Sequence, residues 1–293
     1  MAGRRRSLDA ARVRVGYLGE AAPSARYVVG RNQTPVIDEC SAAQQSVRAL
    51  LALLVFNYVL GENYQFNRTP FAEFTLYGFV LSPRWDSLVI VSMAPDNIAL
   101  RLLDAGAGFR FAGETVTADE EYVYRLDHPA LGTTVTVTSD KGTLAGVRTA
   151  VREDLRPFSP HVLGVPLTSE EREAIEFVNG LDRDVRALLA GLFIRLRASD
   201  GRRWAVGSFY GDPLKRPPAP WWDQHPERSV RRSLRGEGRR WELRWNTAPF
   251  PGDIVAALTH SACGLPGAQA DDDADARRRT ISFGAARLAL RPY

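Results

Sequence analysis

The chain has 293 residues, 45% hydrophobic and 25% charged, a globular composition that can bury a sizeable core and excludes wholesale disorder. Its two cysteines, Cys40 and Cys263, exclude a disulfide framework and a structural zinc cage, and the longest apolar run, Ala49 to Phe56, is too short to cross a bilayer. Net charge is +4, and the first fifteen residues carry charge without a following apolar stretch, so a soluble cytoplasmic protein with no secretory signal, membrane span, metal or cofactor is expected.

The basic residues are almost all arginine, with lysine only at positions 141 and 215. That bias has two readings, a GC-rich genome or selection for planar guanidinium forks that grip phosphate. Residues 201–250 carry eleven basic side chains against five acidic ones, interleaved with Trp204, Trp221, Trp222, Trp241 and Trp245. Arginine with aromatics is the composition of a nucleic-acid-binding face, and Arg231, Arg232, Arg239 and Arg240 are its candidate RNA-binding residues. The alternative is a helical hairpin with core tryptophans and a solvated basic side.

In chain order, residues 12–38 read as a strand region. Ser41 then caps a helix whose stripe runs through Val47, Leu50, Leu51, Leu54, Val55, Tyr58 and Val59 to a stop at Gly61. From Phe74 to Phe111 the period changes to two, in segments 74–81, 87–93, 97–103 and 108–111 separated by tight turns. These predict an antiparallel meander, extended by 122–124 and 133–138. Ser169 caps a second helix through Leu181. Val185, Leu188, Leu189, Leu192, Phe193 and Leu196 mark a more apolar, central one. A proline-rich loop spans 211–226, and 228–245 reads as helical then extended. A short helix covers 253–260, an acidic link 268–276, and a final strand 280–290. The class is α+β: an N-terminal strand and helix, an antiparallel β-meander, then a helical half with a small C-terminal strand tail. The expected divisions are 1–145 (mostly antiparallel β), 146–262 (helical) and 263–293 (acidic linker and strand).

No dinucleotide fingerprint, Walker loop, nucleophile elbow or zincin motif occurs. His128, His161, His225 and His260 read as surface or capping histidines, and Cys40 and Cys263 as plain buried thiols.

The ordering around the meander carries a resemblance. Ser87 through Leu100, with Asp96-Asn97-Ile98 at its end and Phe109-Arg110-Phe111 soon after, follows an upstream Val47-Arg48 pair. It precedes an apolar helix from Leu163-Gly164 to Leu181 and another over Leu188–Arg197. This arrangement, over roughly residues 25–250, resembles the ribosome-inactivating proteins, the rRNA N-glycosidases, and in particular their cereal members.

The resemblance implies depurination of one adenine in large rRNA by N-glycosidic hydrolysis. Two tyrosines stack on the flipped base, a glutamate faces the developing ribosyl cation, and an arginine helps the adenine leave. Carried onto this sequence it implies Arg197 as that arginine, Trp241 as the following tryptophan, and Tyr122 or Tyr124 as the second tyrosine. The first tyrosine position is Ala99 and the glutamate position Ile194. Loss of the group facing the cation costs on the order of a hundred- to thousand-fold in rate, which makes a weak or lost activity the expectation. The reading requires a cleft between the meander and helix 185–197.

Three functions follow: an rRNA N-glycosidase-like protein, active or degenerate; a non-enzymatic RNA- or ribosome-binding module using 201–250; and a structural or interaction protein that docks through 211–226. The first two make the ribosome or its RNA the partner.

Overall fold

The computed structural model describes residues 2–32, 36–57, 79–92, 94–116, 122–139, 148–149, 164–195, 232–245, 250–271 and 278–292. They form seven helices and eleven strands. In chain order these are α1 (Ala2–Leu18), α2 (Ala22–Asn32), α3 (Ala42–Phe56), β1 (Phe79–Pro83), β2 (Ser87–Ser92), α4 (Pro95–Asp104), β3 (Arg110–Val116), β4 (Tyr122–His128), β5 (Thr133–Thr138) and β6 (Arg148–Thr149). They continue with α5 (Ser169–Asn179), α6 (Arg183–Ile194), β7 (Arg232–Glu237), β8 (Arg240–Trp245), α7 (Pro251–Thr259), β9 (Gln269–Ala270), β10 (Arg279–Phe283) and β11 (Ala286–Pro292). The class is α+β, as expected.

The strands build two sheets, one of six in the order β1-β2-β5-β4-β3-β6 and one of five in the order β7-β8-β11-β10-β9. In the first, β5-β4-β3 is an antiparallel run and β1-β2 an antiparallel hairpin. The two are joined through a parallel pair, Ser87↔Thr134 to Val91↔Thr138, so the expected meander is interrupted. The interruption follows from α4. In place of the strand expected over 97–103, Ile98, Ala99, Leu102 and Leu103 are the buried set, at helical spacing, with Pro95 at the helix start and Asp96 in its first turn.

The N-terminal strand expected over 12–38 is also helix. In α1 the inward positions are Ala10, Arg14, Tyr17 and Leu18, a helical stripe disguised in the sequence because one of its members is an arginine. Arg14 is buried against buried Glu20, with Nε and Nη2 donating to the two carboxylate oxygens at 3.0 and 2.7 Å.

Helix α3 is the centre of the molecule. Every residue from Val47 to Phe56 is buried, as befits a helix apolar around its circumference. Ser41 caps it as expected, its side chain accepting from Gln44 N, but it ends at Phe56 with Asn57 as C-cap, while Gly61 lies outside the described residues. α3 packs against α6 and α5 and reaches both β5 and β7, linking the two sheets. Helix α5 is capped by Thr168 rather than Ser169, and Glu171 closes a capping box.

The β1–β2 turn is pinned from three elements. The Pro83 carbonyl accepts from Arg14 Nη2 (2.5 Å), Arg84 O from Arg48 Nη2 (2.6 Å), Trp85 O from Ser41 N (2.8 Å) and Asp86 O from Thr133 Oγ1 (2.9 Å). Four successive carbonyls with buried or half-buried partners fix α1, α3 and β5 relative to one another.

Candidate functional site

The segment expected to be helical then extended is a β-hairpin, β7–β8, whose alternation sorts its side chains by face. Trp241, Leu243 and Trp245 point into the core, and Arg240, Glu242 and Arg244 point to the other face. β11 lies parallel to β8, with Arg240↔Arg287, Glu242↔Ala289 and Arg244↔Arg291 as partners, while β7 places Arg235 opposite Glu242. Arg235, Arg240, Arg244, Arg287 and Arg291 are all exposed. One sheet face therefore presents five guanidinium groups.

The acidic residues among them are Glu237, opposite Arg240, and Glu242. Glu242 bridges two neighbours: Arg244 Nε donates to Oε1, and Arg291 Nε forms an ion pair with Oε2 at 3.0 Å. Adjacent strands lie roughly 4.8 Å apart and i, i+4 positions roughly 13 Å apart along a strand, so the arginines form a two-row array. Such an array holds anions by charge-assisted, bidentate hydrogen bonds.

Of the expected RNA-binding residues, Arg240 belongs to this face. Arg239 is exposed in the β7–β8 turn, where its Nε donates to Asp182 at 2.8 Å and holds that carboxyl below the usual range. Arg232 is 1% exposed: the alternation turns it inward beside Trp245, so it cannot meet RNA from the surface. Arg231, Trp204, Trp221, Trp222 and the loop 211–226 lie outside the described residues. Over 240–245 the interleaving thus separates into Trp241 and Trp245 inside and Arg240 and Arg244 outside.

Of the residues carried over from the N-glycosidase resemblance, the two tyrosines are neighbours on β4 and Trp241 lies on β8 in the other sheet. Trp241 is 4% exposed, its ring against Phe177 with centroids 6.4 Å apart. Tyr122 is 44% exposed and stacks on fully buried Tyr124 at 6.3 Å, and Tyr124 Oη donates to Asp96 at 2.9 Å. Arg197 lies outside the described residues. Helix α6, which ends at Ile194, packs on α3, β10 and β11, and both α3 and α4 face β5. Among the described residues α3, which contacts both α6 and β5, lies where the cleft between the meander and helix 185–197 is expected.

His128 differs from the surface role expected of it, while His260 is the C-cap of α7, a capping histidine as expected. His128 is fully buried: Nε2 donates to Ala107 O at 2.8 Å, Nδ1 accepts from Leu131 N at 3.3 Å, and burial pushes its pKa down to about 4. His260 Nδ1 lies 3.0 Å from Cys263 Sγ, so this cysteine is not a plain buried thiol. The His-x-x-Cys spacing over 260–263 was the available signal, since a chain turning just after a helix brings i and i+3 together. Likewise the period-two pattern in 240–245 and 286–292 was the signal for Arg244, Arg287 and Arg291, which sequence reasoning missed.

Among the described residues, no helix is long and apolar enough to cross a membrane, and no group of three His, Cys, Asp or Glu side chains could hold a metal ion. No protein-family model, curated protein or solved structure matches the chain.

Proposed function

We propose that this protein binds RNA through the exposed face of its five-stranded sheet, without base chemistry at that face. One observation carries the reading: the register pairs Arg240 with Arg287 and Arg244 with Arg291, and the alternation leaves all four exposed on one side. A codon bias scatters arginines, whereas this placement gathers them. Trp241 and Trp245 face inward, so among the described residues these rings give the array no stacking platform, and recognition is of the phosphate backbone. Ribosomal RNA is the partner that the family resemblance implies.

The test is fluorescence anisotropy with a labelled structured RNA from 50 to 300 mM salt, comparing the protein with the R240Q/R244Q/R287Q/R291Q variant. The slope of log affinity against log salt should fall by roughly 0.7–0.9 for each phosphate that the variant no longer neutralises. An unchanged slope removes the reading.

A second reading, rRNA depurination, is favoured by the exposed ring of Tyr122 above Tyr124 and Asp96, a surface on which a flipped base could stack. Aniline cleavage of rRNA from treated ribosomes tests it, and an intact strand at high protein concentration confines the protein to binding.

A further inference from the structure

The turn after α7 holds a thiol and an imidazole in fixed contact. His260 ends the helix, and the chain folds back at once: Gly264 N donates to His260 O at 2.7 Å and Leu265 N to Leu258 O at 2.8 Å. A side chain at Gly264 would collide with the His260 backbone, so the turn is as tight as the chain permits. From beneath, Arg195 Nη2 donates to Cys263 O at 2.8 Å, and Arg195 is itself held by Asp38 through two hydrogen bonds of 2.6 Å. Tyr17 Oη donates to Ala257 O at 2.6 Å, and its ring lies 6.0 Å from that of His260.

The proton positions follow from the donors. Ala262 N–H donates to His260 Nδ1 at 3.1 Å, so Nδ1 carries a lone pair and the neutral ring keeps its proton on Nε2. The Cys263 Sγ lies 3.0 Å from the same atom, so its S–H and the Ala262 N–H share the one Nδ1 lone pair. A thiol hydrogen-bonded to an unprotonated imidazole nitrogen is the resting form of a base-activated nucleophile.

We infer that Cys263 is a modification site, a nucleophilic thiol that hydrogen peroxide oxidises to the sulfenic acid with His260 as the proton acceptor. The reagent class follows from access. Cys263 is 7% exposed beside exposed Ser261 and Ala262, a burial that excludes a peptide or an acyl carrier and makes a small reagent the class to test. In the step, the thiol proton passes to His260 Nδ1 and Sγ attacks one peroxide oxygen. The S–O bond forms as the O–O bond breaks, and the departing hydroxide takes the proton from His260 and leaves as water. Sulfur loses two electrons and the peroxide gains them.

Cys40 is the internal control. It is the more exposed of the two thiols, and burial nonetheless pushes its pKa up. Exposure alone therefore ranks Cys40 first, whereas activation by His260 ranks Cys263 first.

The experiment treats the whole protein with peroxide in the presence of dimedone, which captures sulfenic acids, and locates the adducts by mass spectrometry. Cys263 should label on the order of tenfold faster than Cys40 or more. In His260→Asn the amide oxygen can replace Nδ1 as acceptor for Ala262 N–H but cannot take a proton, so labelling at Cys263 should fall by a similar factor while Cys40 is unchanged. Labelling of Cys40 as fast as Cys263, or a folded His260→Asn variant with the unaltered Cys263 rate, overturns the inference. Should that variant fail to fold, the ratio in the unmodified protein decides alone. RNA binding plays no part in the readout.

Discussion

Arg240 on β8 and Arg287 on β11 are partners in a parallel strand pair, one strand spacing apart and both exposed. Like charges at that distance repel in an isolated sheet, and the neighbouring pair, Arg244 and Arg291, is tied to Glu242 between them. Among the described residues this face carries five arginines and two glutamates.

Glu242→Gln should strengthen RNA binding. It removes the carboxylate that contacts both Arg244 and Arg291 and so raises the positive charge of the face by one. The gain expected from releasing an exposed pair is roughly two- to fivefold in Kd at low salt, fading as salt rises. The anisotropy titration reads it directly, and weaker binding would contradict the assigned face.

Acid should destabilise the fold through His128. Its pKa is pushed down to about 4 in the folded chain from the ordinary 6.5, so the unfolded chain binds the proton more readily. The contribution is fully present above pH 6.5 and is lost as pH falls toward 4, reaching roughly 3 kcal/mol at the lower end. Urea unfolding at pH 7 and pH 4.5 measures the loss, and His128→Gln should flatten that part of the profile whatever it costs at neutral pH.

Asp38→Ala should destabilise by about 3–5 kcal/mol, because it leaves the fully buried Arg195 guanidinium without its carboxylate. The double variant D38A/R195M should recover a large part of that loss, since no buried charge remains. Denaturant midpoints of the three proteins give the comparison, and equal stability of single and double variants would show the pair to be uncoupled.

Glu171 has two tasks and Thr168 one. Glu171 accepts Thr168 N at 2.8 Å in the capping box and receives Arg110 Nη1 and Nη2 at 2.8 and 2.7 Å, with Arg110 buried. Thr168→Ala should cost about 1 kcal/mol, as loss of a cap does. Glu171→Ala should cost about 3–5 kcal/mol, because it also strands a buried guanidinium. Thermal or urea unfolding orders the two variants.

The sequence made some elements legible and concealed others for physical reasons. α3, α6 and α7 are legible because their inward positions are apolar and fall at helical spacing. β1, β2, β4 and β5 are legible because their valines, leucines and threonines alternate. α1 is concealed by Arg14, an inward residue whose charge is met by Glu20, so that a polarity pattern shows a gap where the core has a contact. α4 is concealed because Ile98, Leu100 and Leu102 alternate as well as Ile98, Leu102 and Leu103 recur, and only packing on β2, β4 and β5 selects the helix. The basic face is half visible: the density of arginine is evident over 201–250, but Arg287 and Arg291 join it through the pairing of β11 with β8, which no local pattern encodes.

Gly284, in the turn between β10 and β11, lies against Asp184 in the first turn of α6, and the Asp184 carboxylate also accepts Ala285 N at 2.8 Å. The glycine has a φ of +54°, and a methyl group there would displace that carboxylate. Gly284→Ala therefore offers a means of shifting one strand of the guanidinium lattice while leaving the protein's charge untouched, a handle that separates geometric fit from Coulombic pull.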